Sequence, residues 1–453
     1  MMDLKGKRTA VVGLGRSGVA AARLLATKGA HVMAVDVKDR ESLSEALAVL
    51  EPLKVEVLPG GHHPEVLRST DLVVLSPGVD ASLPLWEELK GSGIEVIGEL
   101  ELASRWVQEP IVAVTGTNGK TTTTALIGHL LRSSGKEVFV GGNIGSPLAE
   151  YVMEGKAELV VLEVSSFQLE TIRSFHPGVA VLLNVSPDHL DRHGTFEGYL
   201  RAKARIFANQ TSEDWAVLNL DDPQVRRLCE GGLPPRILSL SKAPLDRREG
   251  VFSVGEEAII RLGEREERLS LRHLPLLGTH NLENVLAAVG VGILLGLDPR
   301  QVEEDLRRFK PLPHRLELVG RVAGVTFFDD SKATNPLATL RAVEALGEGI
   351  VLIAGGQNKG LDLSPLRQLA QRLKGVVAIG EAAEEVLRTF DSTVPSVRAE
   401  GMEEAVQRAF EMASAGDVVL LSPACASFDM FRDYRQRGEA FKRAVEGLRA
   451  DGR

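Results

Sequence analysis

Residues 111–124 read IVAVTGTNGKTTTT and give the clearest indication of how this chain folds. The stretch begins with a short apolar run, its glycines Gly116 and Gly119 precede Lys120, and an apolar helical pattern follows. A strand, a glycine loop and a helix in this order present backbone N–H groups to an anion at a helix N-terminus. We expect Lys120 to reach the outer phosphates of a nucleotide and Thr121 to place its hydroxyl on a magnesium ion.

The strict phosphate-loop pattern has a glycine where this chain has Val114, so the motif is a variant in which Gly116 takes its place. An ordinary strand-to-helix turn with a surface lysine is the competing interpretation. The preceding strand, the paired glycines, the Lys-Thr pair and the following helix all coincide, which favours the nucleotide loop. The predicted ATP-binding residues of this loop are Gly116, Thr117, Asn118, Gly119, Lys120, Thr121 and Thr122.

Composition narrows the class of protein. A chain of 453 residues is long enough for two or three domains, and 44% hydrophobic with 25% charged residues is ordinary for a globular protein. The net charge of -9 gives no basic surface for nucleic acid. Two distant cysteines, Cys229 and Cys425, argue against disulfides and a zinc site. The chain start lacks an apolar targeting segment and no run is long enough to span a bilayer, so we expect a cytoplasmic protein.

A second glycine turn follows the first predicted strand. The sequence GLGRSG at residues 13–18 has dinucleotide-type spacing, and Asp36 at the end of the next strand is placed for a ribose hydroxyl. Read locally, this turn predicts NAD, although any nucleotide pyrophosphate satisfies the same geometry. A later strand ends in Ser76, Pro77 and Gly78, at the edge of the sheet where ligands of open α/β sheets bind.

Polar side chains also follow the strands of the middle region. Glu163 ends a buried strand beside the phosphate loop, where a magnesium ligand or a water-orienting group belongs, although a helix-capping carboxylate is the alternative. His189 follows the next strand and is a candidate second metal ligand. Lys203 lies on a helix and by itself reads as an exposed lysine. Residues 234–271 read as short antiparallel strands without recognisable chemistry.

The last third of the chain again alternates strands and helices after a Pro-rich linker at residues 310–313. Its strands end in polar or glycine turns, and the basic residues Arg315, Lys332 and Lys359 fall at these ends. Such a set suits a carboxylate substrate and the phosphates of a nucleotide. Asn281 and Asn284, one helical turn apart, suit the polar edge of a ligand, although both could instead be helix caps.

Taken together, the motifs GTNGKT, EVSSFQLE, SPDHLDR, GTHNLEN and the His314-Arg315 pair resemble the Mur ligase family, whose ATP-dependent amide ligases build the cell-wall peptide. DDSKATNP and SPACASFDMF resemble in particular the D-glutamate-adding members. The resemblance runs from the first glycine turn to the C-terminal helix. It implies an α/β fold of three domains: a Rossmann-like UDP-substrate domain at 1–98, a central P-loop ATP-binding domain at 99–311, and a C-terminal Rossmann-like domain at 312–453.

The resemblance also implies roles for individual residues. The first glycine turn would hold a UDP-linked substrate and not NAD, which reverses the local interpretation. The residues implied to bind this substrate are Gly15, Arg16, Ser17, Asp36, Ser76, Gly78, Asn143 and His189, of which Asn143 would touch the muramoyl part. Two magnesium ions would be held by Thr121, Glu163, His189 and Lys203, the last as a carbamate. ATP would also contact Asn281, Asn284, Arg315 and Asp330. D-glutamate would be bound by Lys332, Thr334, Lys359, Ser427 and Phe428, with Tyr434 nearby at a position where the family more often has phenylalanine.

The activity implied is ATP-dependent addition of D-glutamate to UDP-N-acetylmuramoyl-L-alanine through an acyl phosphate, in peptidoglycan precursor synthesis. Lys120, Glu163, His189, Lys203 and Lys332 would carry the chemistry. The partners implied are small molecules, with no nucleic acid and no membrane span, and we expect a monomer. Three alternatives remain: a family member with another amino-acid specificity, a nicotinamide oxidoreductase, and a non-catalytic sugar-nucleotide-binding protein.

Overall fold

The computed structural model describes residues 3–276 and 278–450, except the side chains of Thr279, His280 and Ala450. Leu277 and the chain ends at 1–2 and 451–453, which the predicted motif and domain ranges include, lie outside the described residues. Within the described residues the strands form three sheets, and the chain divides into two compact units. The larger unit runs to Arg272 and includes Glu283–Leu306; the smaller unit comprises His273–Leu282 and the residues from Arg307 onward.

The first sheet is parallel, with strand order β3-β2-β1-β4-β5. Its elements and the helix that leaves it are β1 (Arg8–Val12), α1 (Arg16–Thr27), β2 (His31–Asp36), α2 (Ser44–Leu50), β3 (Glu56–Pro59), α3 (Pro64–Leu67), β4 (Leu72–Leu75), α4 (Pro84–Gly91), β5 (Glu95–Gly98) and α5 (Glu99–Ser104). Because β2, β1 and β4 are neighbours in register, the residues after them lie at one edge of the sheet. This edge is where the Rossmann-like prediction places its ligand.

The middle sheet has the order β14-β13-β12-β11-β10-β9-β6-β8-β7. Its elements are β6 (Ile111–Thr115), α6 (Lys120–Ser133), β7 (Val138–Gly142), α7 (Leu148–Glu154), β8 (Leu159–Glu163), α8 (Ser166–Glu170), β9 (Val179–Leu182), α9 (Leu190–His193), α10 (Phe196–Ala204), β10 (Trp215–Asn219), α11 (Pro223–Glu230), β11 (Arg236–Ser241), β12 (Glu249–Val254), β13 (Glu257–Leu262), β14 (Arg265–Ser270), α12 (Thr279–Leu294) and α13 (Pro299–Arg308). Every residue of β6 and β8 is buried, as expected for strands covered on both faces.

The prediction of antiparallel strands over 234–271 is correct for β12, β13 and β14 and wrong for β11. β11 is parallel to β10, because the crossover through α11 brings the chain back to begin β11 at the same end of the sheet as β10. β11 also pairs in parallel with β12. The first and middle sheets share a continuous hydrophobic core that includes Leu24, Leu102 and Phe175. This shared core explains why both sheets fall within one compact unit.

The smaller unit holds the third sheet, with order β15-β16-β20-β17-β18-β19. Its elements are β15 (Glu317–Val322), β16 (Val325–Asp329), α14 (Pro336–Leu346), β17 (Ile350–Gly355), β18 (Leu373–Ile379), α15 (Ala383–Phe390), β19 (Ser396–Arg398), α16 (Met402–Met412), β20 (Val418–Ala424) and α17 (Tyr434–Ala450). β15 is the antiparallel edge strand. The other strands, β16, β20, β17, β18 and β19 in sheet order, are parallel to one another. The neighbours β16, β20 and β17 therefore end at one edge, where the motifs of the last third lie.

Candidate active site

The predicted phosphate loop lies between β6 and α6, and α6 begins at Lys120. Gly119 has φ +87, a left-handed conformation that costs glycine little, and a Cβ there would come within 2.3 Å of Asn284 Oδ1. The Lys120 ammonium donates to the carbonyl oxygens of Gly116 and Thr117, both at 2.8 Å. Lys120 is thus folded over the loop at the N-terminus of α6, where a phosphate would be held.

The turn after β9 supports this loop. The Thr117 backbone N–H donates to Asn184 O at 2.9 Å, and the Ser186 N–H donates to the Thr117 hydroxyl at 3.0 Å. The Asn118 N–H donates to the Asn184 side-chain oxygen at 2.9 Å. Asn184 is not among the predicted site residues, although its position directly after a buried strand was a usable signal. It fixes the loop by linking neighbouring strand ends.

Glu163 lies at the end of β8, opposite Val114 of β6. Its carboxylate is buried, and Oε1 accepts a hydrogen bond from the Asn143 side-chain nitrogen at 2.8 Å. Among the described residues no group hydrogen-bonds Glu163 Oε2. A buried carboxylate oxygen beside a phosphate loop, without a protein donor, suits a hard cation. Asn143 reaches Glu163 here, and its expected contact with the muramoyl part stays a prediction.

Lys203 is buried in α10, so the local interpretation of an exposed helical lysine is wrong. Its Nζ donates to Gly116 O at 2.8 Å and lies 4.5 Å from the centre of the Tyr199 ring. Burial, and then the Lys120 charge, hold the pKa of the Lys203 ammonium well below its usual value, against the opposing effect of Asp188 and Glu163. Lys120 and Lys203 therefore share Gly116 O as an acceptor, which brings the predicted phosphate ligand and the predicted carbamate together.

His189 precedes α9 and has the left-handed φ of +51°. Its ring is half-buried and packs edge-on against Phe167, with 4.9 Å between ring centres.

Asn284 lies on the first turns of α12, where Thr123 donates to its side-chain oxygen at 3.2 Å. Asn284 thus packs against the phosphate loop, whereas Asn281 belongs to the smaller unit and is half-buried at the beginning of the same helix. The expected contact of both side chains with ATP stays a prediction.

The first sheet places its predicted nucleotide residues around one glycine turn. The Asp36 carboxylate accepts from the N–H groups of Leu14, at 2.6 Å, and Lys38, at 2.9 Å. A Cβ on Gly18 would lie 1.8 Å from Gly13 O, so this helix packs on the turn only with glycine there. Ser76 closes the other side of the turn. Around this turn, Gly15, Arg16 and Gly78 are exposed and Ser17 is half-buried.

In the smaller unit, Asp330 and His314 lie where β16 and β20 end. The Ser422 hydroxyl donates to Asp330 Oδ2 at 2.9 Å, and burial raises the pKa of Asp330 to about 7 against the opposing effects of that bond and the Arg315 charge. His314 Nδ1 lies 2.7 Å from a carboxylate oxygen of Asp329. The Leu316 N–H also donates to Asp330 Oδ1 at 3.3 Å, so the segment that carries Arg315 is joined to the Asp330 turn. The expected convergence of Arg315 with Lys332 and Lys359 on one ligand stays a prediction.

The residues predicted for D-glutamate surround two aromatic rings. The Lys332 ammonium lies 4.0 Å above the Tyr434 ring, and the Lys359 ammonium lies 5.3 Å from the Phe428 ring. Phe428 is 60% exposed, which leaves its face open to a ligand. Ser427, its neighbour in the chain, is buried, and Thr334 is exposed just before α14.

Sequence reasoning missed the group that holds this pocket together. Arg437 is buried, and its guanidinium donates to the backbone oxygens of Ser331, Cys425 and Ala426 and to the Ser331 hydroxyl, at 2.8 to 3.1 Å. It thereby ties the turn that carries Lys332 to the turn that carries Ser427. Arg437 lies in a largely polar helix, α17, where an arginine is expected to be exposed. The sequence therefore did not indicate that this side chain is buried.

Three family models match most of the chain, and full-length relatives cover 99% of it. The Mur ligase MurD-like N-terminal domain matches residues 7–98, the Mur ligase middle domain 114–292, and the Mur ligase glutamate ligase domain 314–425. A UDP-N-acetylmuramoylalanine--D-glutamate ligase of Geobacter metallireducens is 46% identical over 99% of both chains. The protein of that name from Trichlorobacter lovleyi is 45% identical over 99% of this chain and all of its own.

Two solved structures share the fold. MurF ligase from Thermotoga maritima, in complex with ADP, superposes with a TM-score of 0.61 at 20% identity and covers 98% of this chain and 96% of its own. The UDP-N-acetylmuramate-alanine ligase MurC from the same organism gives 0.60 at 20% identity, over 98% of this chain and all of its own. In the described part of the chain no helix is both long and apolar enough to cross a membrane. The three matched domains and the full-length relatives show that this chain belongs to the Mur ligase family.

Proposed function

We propose that this chain is the ATP-dependent ligase that joins D-glutamate to UDP-N-acetylmuramoyl-L-alanine in peptidoglycan precursor synthesis, with ADP and phosphate as the other products. The observation that carries the proposal is the match along the whole chain to relatives that bear this enzyme's name, at up to 46% identity. The phosphate loop and the buried carboxylate and lysine beside it support the same activity.

The reaction requires that a carboxylate become a good leaving group. A carboxylate oxygen of the alanyl substrate attacks the γ-phosphorus of ATP, and the bond from that phosphorus to the bridging oxygen of ADP breaks. The D-glutamate nitrogen then attacks the carbonyl carbon of the acyl phosphate, loses a proton, and phosphate leaves as the amide forms. Little covalent work falls to the protein, so positioning and charge neutralisation dominate. We assign phosphate neutralisation to Lys120 and to the N–H groups that begin α6.

Magnesium fits the residues at the phosphate loop. The buried Glu163 oxygen offers a hard ligand, and Thr121, His189 and Lys203 complete the set that we propose for two ions. The metal would neutralise charge on the transferred phosphoryl group. Lys203 becomes an anionic oxygen ligand if its amine nitrogen bonds to the carbon of carbon dioxide and releases one proton. Its burial and lowered pKa favour the neutral amine that this step needs.

We propose that the smaller unit binds D-glutamate. This substrate carries two carboxylates, and Lys332 and Lys359 offer two cations held over aromatic faces. Ser427, Thr334 and the open face of Phe428 would complete the pocket. Arg315 and Asp330, which lie together, would contact ATP, together with Asn281 and Asn284.

The first sheet is assigned to the UDP part of the substrate, which needs a glycine turn and a helix N-terminus for its diphosphate. We keep the division into domains at 1–98, 99–311 and 312–453 as part of this proposal. ATP and UDP-linked precursors are cytoplasmic metabolites of a growing cell, so we expect the protein to act in the cytoplasm. We also expect it to be a monomer.

The test is phosphate release from ATP with UDP-N-acetylmuramoyl-L-alanine and a panel of D- and L-amino acids. Release that depends on D-glutamate alone is the expected result. Release with a different amino acid would keep the ligase reaction and overturn the specificity. No release with any amino acid, combined with tight binding of NAD, would restore the oxidoreductase interpretation of the first glycine turn.

A further inference from the structure

Two short helices of the middle sheet are joined by a partly buried side-chain network. Glu170, at the end of α8, has Oε1 3.1 Å from His193 Nδ1 and Oε2 3.3 Å from the Arg192 guanidinium. His193 Nε2 lies 3.0 Å from the Ser166 hydroxyl at the beginning of α8. Burial, together with the charges of His189, Lys203 and Arg192, lowers the pKa of His193 to about 4 against the opposing effect of Asp191. The neutral ring can therefore donate to Glu170 and accept from Ser166.

These residue types also occur in hydrolytic triads, but the geometry argues for another task. Ser166 is only 3% exposed, so its hydroxyl is not open to a substrate. The Phe167 ring lies stacked on His193, with 5.4 Å between centres, and edge-on to His189. The network therefore holds the C-terminal end of α9, and the Phe167 ring packs against His189, the left-handed residue before this helix.

The same network reaches the first sheet through Arg192. Its Nη2 donates to Val79 O at 2.6 Å, and its Nε lies 3.5 Å from the Asp80 carboxylate. Val79 and Asp80 belong to the turn 76–81 after β4, which packs on the glycine turn: a Cβ on Gly13 would lie 2.7 Å from Val79. The guanidinium also covers the Phe167 ring at 4.9 Å. One side chain thus contacts the proposed nucleotide turn, Glu170 and the ring that packs on His189.

We propose that Arg192 and Glu170 are positioning residues. They hold the turn 76–81 of the first sheet, part of the proposed nucleotide site, at a fixed distance from His189. The inference rests on the proposed function, because it concerns how the UDP end and the reacting carboxylate of one substrate are placed together. A substrate gains affinity from having both ends joined only if the protein holds the two binding sites as far apart as the ends are in the substrate. A misplacement of about 1 Å at the reacting atoms can cost on the order of 100-fold in rate.

The test compares Arg192→Met, which keeps an apolar stem on Phe167, with Arg23→Met. Arg23 also joins the first sheet to the middle one, through a 2.7 Å ion pair with Glu154, but it lies on α1, outside the network. For Arg192→Met we expect kcat to fall on the order of 100-fold, with KM for ATP and D-glutamate within about threefold of wild type. Arg23→Met should leave all constants within about twofold, as a half-exposed ion pair should.

A binding measurement separates positioning from general damage. By calorimetry, Arg192→Met should bind UDP itself as wild type does, while the affinity advantage of the full UDP substrate over UDP falls on the order of tenfold. Glu170→Gln should show the same pattern, and the double variant should lose little more than either single variant, because both act through one contact. If Arg192→Met does not fold, Arg192→Lys decides, since one ammonium cannot serve all the partners of the guanidinium.

An unchanged kcat in a folded Arg192 variant, or an equal loss in Arg23→Met, would overturn the inference. A weakened affinity for UDP alone would also overturn it, because the damage would then be confined to the nucleotide site. Wild-type protein without D-glutamate-dependent phosphate release would instead count against the proposed function, and the UDP comparison would still test the positioning role.

Discussion

Glu99 makes the stability of the larger unit depend on pH. Its carboxylate is buried at the beginning of α5, where Oε1 accepts from the Ala149 N–H at 2.7 Å. In the described part of the chain Oε2 has no hydrogen-bond partner. Burial raises the pKa of Glu99 from 4.5 to about 7, and the nearby Glu150 charge adds to the rise, while the bond from Ala149 opposes it. The folded chain thus keeps a proton that the unfolded chain has already released.

The sign of the effect follows from that difference. The free energy of unfolding is highest below the pKa of the unfolded chain, near 4.5, where both states carry the proton. It falls as the pH rises through the pKa of the folded chain, near 7. At about 1.4 kcal/mol per pKa unit, the loss above pH 8 is about 3 kcal/mol. Glu99→Gln removes the titration and keeps an oxygen to accept from Ala149. We expect the free energy of unfolding of the variant to match that of wild type near pH 5 and to exceed it by about 2 kcal/mol at pH 8. The expected gain is smaller than about 3 kcal/mol because the amide accepts a poorer hydrogen bond, at a cost of about 1 kcal/mol.

Urea unfolding followed by tryptophan fluorescence is the assay, because Trp86, Trp106 and Trp215 all lie in the larger unit. Glu101→Gln is the matched control, two residues along the same helix. Burial would raise the pKa of Glu101, but donors from Ser174, Arg173 and Arg105 outweigh it and lower the pKa. That variant should be destabilised at pH 8. A difference between Glu99→Gln and wild type that is the same at pH 5 and pH 8 would refute the reasoning.

Three further predictions concern the proposed active site. Lys203→Ala should lose at least about 100-fold in activity and recover part of it with added short carboxylic acids, which supply the missing anionic oxygens; no recovery at any concentration would count against a carbamate. Asp330→Asn should reduce the dependence of kcat/KM on pH between 6 and 8, because the pKa of Asp330 is raised to about 7 by burial, and an unchanged pH profile would contradict this. Arg437→Lys should destabilise the smaller unit by about 2 to 4 kcal/mol in a circular dichroism melt, since one ammonium cannot replace the guanidinium fork; an unchanged melt would argue against its linking role.

Local sequence patterns are sufficient to predict many of the helices and strands and part of the chemistry of this protein. The glycines and Lys120 of IVAVTGTNGKTTTT required a strand, a phosphate loop and a helix, and the structure has β6, the loop and α6 in those places. The buried runs before Glu163 and Asp330 predicted strands whose ends carry polar groups. These conclusions hold because backbone conformation and burial follow from neighbouring residues.

Which side chains contact one another cannot be predicted from such local patterns, because it depends on how distant segments pack. Lys203 reads as an exposed helical lysine until α10 packs against the phosphate loop, because burial depends on the neighbouring element and not on the residue itself. Arg192 and Glu170 are ordinary charged residues in the sequence, and Arg192 contacts the first sheet through Val79, which is 113 positions away. β11 was misassigned for the same reason, since strand direction is set by the connection and the neighbour. Local pattern fixes the conformation of a segment, whereas the partners of a side chain are chosen when separate segments pack.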